Sequence, residues 1–285
     1  MKRTITFKGT TVTLTGRPIA EGGSFRESIL TTTDFEEKKL SAYTGDIMVI
    51  TTFLSLDTPV CDLQVKEFNK RATTIANNDV IVLGISNDLP FAQKRFCEMN
   101  SIDHVVPLSD FKIGSFGINY GLLIKEMSLL ARSILIIDKG GVVRYYQIVD
   151  EASHAPDYDA ALRALEAVIQ QPGGPALQAT ERCTPCEKGT PPLKREEREA
   201  ALVDVPEWEL IDEKKIRKEF TFKTFADAKS FVDMLAVIAE EQGHHPAMTI
   251  NYNKVRVTCT THAAGGLTRN DFVLAAIIDE IGGAR

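Results

Sequence analysis

The sequence predicts two consecutive domains of different class, an α/β domain followed by an α+β domain. The chain has 285 residues, which exceeds the usual size of a single domain. Strand and helix patterns alternate up to about residue 170, and a different order of elements begins after a segment rich in proline and glycine. We therefore assign residues 1–170 to the first domain, 171–182 to a linker and 183–285 to the second domain.

The first domain opens with two short strands, TITF and TVTL, on either side of a turn at residues 8–10. Residues 47–54 (IMVITTFL) are continuously apolar, which is typical of a strand buried on both faces. The remaining elements are a helix after Pro59, a strand at 80–86, a helix at 91–99, strands at 132–138 and 142–149, and a helix at 158–170. This order predicts an α/β sandwich around a central sheet.

The second domain has another order of elements: a helix at 194–203, strands at 208–212 and 218–222, a helix at 226–242, strands at 249–252 and 254–262, and a helix at 269–281. The apolar residues of the middle helix recur at helical spacing. Gly243 suits the end of that helix, and Pro246 prevents its continuation. The pattern predicts an antiparallel sheet with helices packed on one face.

Charge and hydropathy argue against nucleic acids and membranes as partners. The net charge is −6 and no basic stripe is present, so we expect no nucleic-acid partner. The first residues lack the apolar run of a signal peptide, and no segment is long and apolar enough for a membrane span. The five cysteines are sparse and odd in number, which favours reactive thiols over a disulfide framework. We therefore expect a cytoplasmic protein.

Cys61 is the first candidate reactive residue, two positions after Pro59. Proline is favoured in the first helical turn, and Asp57 or Thr58 can cap that helix end. Unpaired N–H groups and the helix dipole favour a thiolate at this position, and the thiolate is the nucleophilic form. A buried free cysteine with a packing role is an equally plausible interpretation of the position alone.

Several motifs in order decide between these interpretations. DTPVC at 57–61, DLPFAQKRFC at 88–97, SDF at 109–111, the Ala131-Arg132 pair and PDYDAAL at 156–162 resemble the thiol peroxidase branch of the peroxiredoxins, over residues 8–168. The resemblance implies a thioredoxin-like fold and the absence of a cofactor. Leu54 stands where this family usually has a proline that shields the sulfur pocket.

The same resemblance implies the roles of four residues. Cys61 is the expected peroxidatic cysteine and Cys97 the expected resolving cysteine. Thr58 is expected to hydrogen-bond the thiolate and the peroxide, and Arg132 to hold the thiolate and polarise the peroxide. Hydroperoxides are the implied substrates. The cycle runs from sulfenic acid to disulfide, and a thioredoxin-like dithiol is the implied reductant.

Three histidines mark the second candidate site. His244 and His245 follow the predicted helix end, and strand alternation from Lys254 places His262 on the polar face at a strand end. Taken singly, each histidine is more often structural than catalytic. Adjacent histidines are poorly spaced for one zinc ion, so we expect no metal.

Glu240, the HHP at 244–246, Tyr252, Trp208 and the segment TTHAAGGLTRND at 260–271 resemble the pterin-4a-carbinolamine dehydratases over residues 183–285. The implied substrate is a 4a-hydroxytetrahydropterin, and the reaction needs an acid and a base but no cofactor. His244 or His245, together with His262, is expected to supply these groups. Asp271 is expected to orient a histidine or the pterin, with helix capping as the alternative.

Some alternatives stay open at this level. Cys183 and Cys186 form a CxxC that is a redox pair, half a zinc site or, as we favour, a structural element. The first domain could be a peroxide sensor and the second a non-catalytic pterin-binding or dimerisation module. We expect a homo-oligomer, either a dimer or a tetramer, and a pterin-dependent hydroxylase as a further partner.

Overall fold

The computed structural model describes residues 3–74, 79–170, 183–184 and 190–282. The chain divides into two compact units, one comprising Lys2–Ala179 and the other made up chiefly of Thr180–Arg285. The predicted linker at 171–182 lies outside the described residues, and the exact domain limits stay predictions.

The first unit contains eleven strands and four helices within the described residues. In chain order they are β1 (Arg3–Phe7), β2 (Thr10–Thr15), β3 (Ile29–Thr31), β4 (Glu37–Lys39), β5 (Ile47–Thr52), α1 (Pro59–Thr74), β6 (Val80–Ser86), α2 (Pro90–Asn100), β7 (Val106–Ser109), α3 (Ser115–Asn119), β8 (Leu123–Ile124), β9 (Leu129–Leu130), β10 (Ser133–Ile137), β11 (Val143–Ile148) and α4 (Tyr158–Gln170).

The central sheet of this unit has seven strands in the order β11-β10-β5-β6-β7-β3-β4. Strand β5 pairs in parallel with β6 and antiparallel with β10, and all six of its residues are buried. Its continuous apolar run is therefore explained by its central position. Helix α1 begins at Pro59, a short loop after β5 ends, so the sheet directly positions the first turn of α1. The α/β class predicted for this half, with its thioredoxin-like fold, is confirmed.

The structure adds elements that the sequence patterns did not indicate. The hairpin β1–β2 extends through β8 and β9 into a second, four-stranded sheet. Strands β3, β4, β8 and β9 have only two or three residues each, which is too short for an alternation of polar and apolar residues to be visible. Helix α3 has five residues, all buried, so it lacks the polar face that marks a surface helix.

The second unit contains four strands and three helices within the described residues. They are α5 (Arg195–Leu202), β12 (Glu209–Ile211), β13 (Lys215–Thr221), α6 (Phe225–Gln242), β14 (Ala247–Asn251), β15 (Lys254–Cys259) and α7 (Arg269–Gly282). All pairings in the sheet, ordered β12-β13-β15-β14, are antiparallel.

One face of this sheet carries the core of the unit. Val255, Val257 and Cys259 of β15 are fully buried, whereas Lys254 and Arg256, which alternate with them, are exposed. Helices α6 and α7 pack on the buried face. The predicted antiparallel sheet with helices on one face is confirmed.

Helix α6 ends as its sequence indicates. Gly243 adopts a left-handed conformation with a φ of 60°, which glycine accepts without steric cost, and the chain then turns towards Pro246.

Among the described residues, no helix has both the length and the apolar character needed to cross a membrane.

Two candidate active sites

Cys61 is the third residue of α1, and its side chain is fully buried. The Nη2 atom of Arg132 lies 3.3 Å from the sulfur of Cys61. Arg132 is itself only 1% exposed, so its positive charge is presented to the sulfur with little screening by water. The first turn of α1 and a buried guanidinium thus converge on one thiol.

Two further contacts fix the orientation of Arg132. Its Nε atom donates to the carbonyl of Ala152 at 3.1 Å, and its Nη1 atom donates to Oε1 of Gln64. The amide of Gln64 in turn donates to the hydroxyl of Thr51 at 2.5 Å and to the carbonyl of Thr52 at 3.2 Å. The planar guanidinium can make several directed bonds at once, which a lysine cannot do.

Gln64 is a residue that the sequence analysis missed. It is fully buried on α1, one turn after Cys61. A polar residue three positions after the candidate nucleophile lies on the same helix face, and that spacing is the signal that identifies it.

Thr58 and Leu54 both precede Cys61 in the sequence, and their contacts differ. The hydroxyl of Thr58 donates to the carbonyl of Ser55 at 3.1 Å rather than to the sulfur of Cys61. Its expected hydrogen bond to the thiolate therefore stays a prediction. Leu54 is 3% exposed and belongs to the hydrophobic core, so an apolar residue occupies the position where the family usually has proline.

Cys97 lies in the last part of α2 and is half-buried. Burial, with smaller contributions from Asp103 and Glu98, raises the pKa of its thiol to about 11. Cys61 and Cys97 are both free thiols. At neutral pH, therefore, Cys97 is held in its protonated and weakly nucleophilic form.

In the second unit, His244 follows the glycine that ends α6. Its Nε2 atom lies 2.8 Å from Oδ1 of Asp271, whose side chain is fully buried. The other carboxylate oxygen of Asp271 accepts hydrogen bonds from the backbone N–H of Thr268 and the hydroxyl of Thr261, both at 2.8 Å. Asp271 thus contacts a histidine and also binds the backbone at the start of α7.

Asp271 also connects the two histidines indirectly. It contacts His244 and accepts a hydrogen bond from Thr261, the residue immediately before His262. The prediction that strand alternation extends to His262 is wrong. Strand β15 ends at Cys259, because the chain turns where Thr261 pairs with Gly266. His262 instead begins a short 3-10 helix, and its side chain is exposed.

Three other residues of the predicted dehydratase signature, Glu240, His245 and Tyr252, are exposed, whereas Trp208 is buried. His245 lies 3.2 Å from Oε1 of Glu240, with side-chain exposures of 59% and 74%. Tyr252, at the turn between β14 and β15, is 70% exposed.

Cys183 is attached to the second unit by its backbone and its sulfur. Its N–H donates to Oε1 of Gln242 at 3.1 Å, and its sulfur lies 3.5 Å from the carbonyl of Asn270. The side chain of Asn270 also makes two hydrogen bonds to the backbone of Thr184. Cys186 lies outside the described residues. In the part of the chain that is described, no group of three or more potential ligands is arranged to hold a metal ion.

Comparison with known proteins assigns both units to families. Residues 17–162 match the Redoxin family. The chain belongs to the redoxin family. The thiol peroxidase of Staphylococcus saprophyticus is 44% identical over 160 residues, which cover 56% of this chain and 96% of that protein. A crystal structure of a peroxiredoxin-like protein from Aquifex aeolicus is 39% identical, with a TM-score of 0.55, and the match covers 58% of this chain and 97% of that chain.

The second unit matches a different enzyme family. Residues 191–281 match the pterin 4 alpha carbinolamine dehydratase family. A transcriptional coactivator/pterin dehydratase from Brucella melitensis is 34% identical in sequence, and the match covers 32% of this chain and 99% of that chain, with a TM-score of 0.31. The chain is therefore a fusion of a thiol peroxidase-type redoxin unit with a dehydratase unit.

Proposed function

We propose that the redoxin unit reduces hydroperoxides at Cys61 and that the dehydratase unit converts a 4a-hydroxytetrahydropterin into a quinonoid dihydropterin. The observation that supports the first activity is the buried Arg132 guanidinium at 3.3 Å from the Cys61 sulfur. The observation that supports the second is the His244–Asp271 pair at 2.8 Å.

In the first step the Cys61 thiolate attacks one oxygen of the peroxide. An S–O bond forms and the O–O bond breaks, so the sulfur is oxidised by two electrons to a sulfenic acid. The other oxygen leaves as water or an alcohol after taking up a proton. The guanidinium of Arg132 carries N–H donors on several nitrogens, so it can stabilise the thiolate and also polarise the peroxide oxygens.

In the second step the sulfur of Cys97 attacks the sulfenic sulfur of Cys61. An S–S bond forms, the S–O bond breaks, and the hydroxyl group leaves as water. A thioredoxin-like dithiol then reduces the disulfide and is itself oxidised, which restores both thiols. In this cycle Thr58 hydrogen-bonds the thiolate and the peroxide after its hydroxyl turns away from Ser55.

In the dehydratase unit the C–O bond at position 4a of the pterin breaks, the hydroxyl leaves as water, and a ring N–H loses its proton. Because a carboxylate only accepts hydrogen bonds, Asp271 accepts one from the Nε2–H group of His244. The Nδ1 atom of neutral His244 is then left as a proton acceptor. His245 and His262 are exposed and supply the further acid or base from the solvent side of the site.

Several surroundings of these reactions belong to the same proposal. We infer a homo-oligomer, a dimer or a tetramer, and a pterin-dependent hydroxylase as the source of the carbinolamine. Met248 and Ile250 expose apolar side chains on the edge strand β14. An exposed apolar sheet edge supports a contact with a second copy of the chain at this strand. The cytoplasmic location expected from the sequence stays a prediction.

Turnover assays on the full chain test both activities. Hydroperoxide consumption is measured with a thioredoxin-type dithiol and its reductase, and carbinolamine decay is followed by pterin absorbance. The proposal is supported if the Cys61→Ser variant loses only peroxide reduction and the His244→Ala variant loses only dehydration. Peroxide turnover that survives Cys61→Ser would rule out the role of this thiol.

A further inference from the structure

Asp88 lies in the loop between β6 and α2, and its carboxylate binds two separate segments of the redoxin unit. Oδ1 accepts a hydrogen bond from the hydroxyl of Ser55 at 2.7 Å. Oδ2 accepts one from the backbone N–H of Leu56 at 2.8 Å and one from the hydroxyl of Ser86 at 2.9 Å. Hydrogen bonds to an ionised acceptor are about twice as strong as neutral ones.

One of these segments leads directly to Cys61. The carbonyl of Ser55 accepts hydrogen bonds from the backbone N–H of Thr58 at 3.0 Å and from its hydroxyl at 3.1 Å. Thr58 is the residue just before α1, whose first turn carries Cys61. A chain of hydrogen bonds therefore runs from Asp88 through Ser55 to the helix start at the reactive thiol.

The other segment leads to Cys97. The hydroxyl of Ser86, which donates to Asp88, accepts a hydrogen bond from the amide of Gln93 at 3.1 Å. Gln93 is a fully buried residue of α2, one turn before Cys97. The backbone carbonyl of Asp88 also accepts a hydrogen bond from the hydroxyl of Ser109, which fixes the loop against β7. Asp88 is thus connected to the starts of both cysteine-bearing helices.

This position matters because Cys61 and Cys97 are separate free thiols in this structure, and condensation has to join them. Cys61 is fully buried, and Cys97 is a half-buried, protonated thiol on another helix. A disulfide requires its two Cβ atoms to lie within about 3.5–4.5 Å of each other and a specific dihedral angle. Cys97 must also become accessible to form a thiolate. The burial of both sulfurs, on different helices, therefore favours a shift of at least one helix segment before the S–S bond forms.

We propose that Asp88 is a positioning residue that holds the segment before Cys61 against the start of α2, and that its release limits the condensation of Cys61 with Cys97. The inference rests on the proposed peroxidase function. Asp88 bound to Ser55 and Leu56 keeps the arrangement that reacts with peroxide. Once the sulfenic acid has formed, these bonds must break before the sulfur of Cys97 can displace water from the Cys61 sulfur.

The proposal predicts that the variants accelerate the second step without accelerating the first. Asp88→Ala removes three charge-assisted hydrogen bonds and should accelerate disulfide formation on the order of tenfold, since such a bond contributes enough to change an equilibrium by that factor. Asp88→Asn keeps the shape but loses the charge, so a gain of about threefold is expected. Ser55→Ala removes one donor and should change the rate in the same direction. Oxidation of Cys61 should be unchanged or slower in all three variants.

The experiment follows both steps in the full chain. Reduced protein is mixed with equimolar hydrogen peroxide, quenched with acid at successive times and analysed by peptide mass spectrometry for Cys61 sulfenic acid and for the Cys61–Cys97 disulfide. Asp34→Asn is the matched control, because Asp34 bonds Lys94 of α2 at 2.9 Å in an exposed ion pair. Circular dichroism establishes that each variant is folded, and Asp88→Asn and Ser55→Ala suffice if Asp88→Ala is not.

A shorter sulfenic acid lifetime in the Asp88 and Ser55 variants, with the control unchanged, supports the inference. Equal lifetimes in Asp88→Asn, Asp34→Asn and the unmodified chain would overturn it. So would a slowing of both steps by the same factor, because that is the result of general damage to the fold. If the unmodified chain forms no sulfenic acid at Cys61, the proposed function itself fails, and this inference fails with it.

Discussion

The two units expose their reactive side chains to water to opposite degrees. In the redoxin unit, Cys61 and Arg132 have exposures of 0% and 1%. In the dehydratase unit, His245 is 59% exposed, and only His244, at 11%, is held by a buried partner. A thiolate gains reactivity from an unscreened positive charge, and that requires exclusion of water. Histidines that exchange protons near neutral pH function beside water, provided that their orientation is fixed.

The difference also concerns how many elements each site depends on. The sulfur site combines α1, the residue before β10 and the backbone at Ala152, linked by Gln64 and Arg132. In the histidine site, Asp271 joins the loop after α6 to the start of α7. Substitutions at the sulfur site should therefore have larger effects than equivalent substitutions at the histidine site, and within each site burial should rank the residues.

The largest expected effect is that of Cys61→Ser. The serine hydroxyl is a much weaker nucleophile than a thiolate, so peroxide reduction with a thioredoxin-type dithiol should fall to the uncatalysed background. Cys97→Ser should keep the first turnover and then stop as a sulfenic acid or a mixed disulfide. Peroxide consumption and mass spectrometry of Cys61 check both outcomes. The rate of carbinolamine dehydration serves as the control for folding.

The second expected effect is that of Arg132→Lys. Lysine retains the positive charge but cannot bond the Cys61 sulfur, Gln64 and the Ala152 carbonyl together. Losing a hydrogen bond to a charged group costs about 1.5–3 kcal/mol, so the rate constant of Cys61 oxidation should fall about 10- to 100-fold. Stopped-flow kinetics with hydrogen peroxide measures this rate.

A matched control for Arg132→Lys is Arg71→Lys. Arg71 lies on the same helix as Cys61 but forms its ion pairs with Glu67 and Asp159 at the protein surface. Its replacement should leave the oxidation rate within about twofold, since surface pairs contribute little. Equal rates for Arg132→Lys and the unmodified chain would mean that the buried fork has no role in the reaction.

These expectations depend on residues that the sequence indicates to different extents. The position of Cys61 could be predicted because the apolar run of β5 and Pro59 are local signals for a buried strand and a helix start. The end of α6 could be predicted from Gly243 for the same reason. Such features depend on neighbouring residues in the chain.

The contacts of Gln64 and Asp88 could not be predicted in this way. Their bonding partners are Arg132, 68 positions away, and Ser55, 33 positions away. Which distant group a polar side chain meets is set by the packing of the elements. The prediction of where β15 ends was wrong for a related reason. The alternation of polar and apolar residues continues in the sequence to His262, but the chain turns where Thr261 pairs with Gly266.

The third expected effect is that of Asp271→Asn on dehydration. The amide offers one acceptor oxygen in place of two, so it cannot serve both His244 and the pair formed by Thr261 and the Thr268 N–H. We expect a fall in kcat on the order of tenfold, because a misoriented histidine loses part of its acid–base contribution. Stability should also fall by about 1 kcal/mol with the weakened bond at the helix start.

The readout that separates positioning from stability is the pH profile of kcat. If Asp271 fixes the protonation of His244, the profile of Asp271→Asn should shift relative to that of the unmodified chain at a temperature where both are fully folded. An unchanged profile, with a loss of activity that follows only the loss of folded protein, would leave Asp271 as a helix cap alone.

The smallest expected effect is that of Glu240→Gln, and it tests whether burial is the right guide within the histidine site. Glu240 bonds His245 at 3.2 Å, a pairing similar to that of Asp271 with His244, but both partners are more than half exposed. Water competes for such a pair, and exposed pairs contribute at most about 1 kcal/mol, so dehydration should stay within about fivefold of the unmodified rate. Raising the salt concentration should weaken this pair further without affecting the buried one. A loss as large as that of Asp271→Asn would mean that Glu240 acts on the pterin itself, because its contact with His245 is too exposed to account for such a loss.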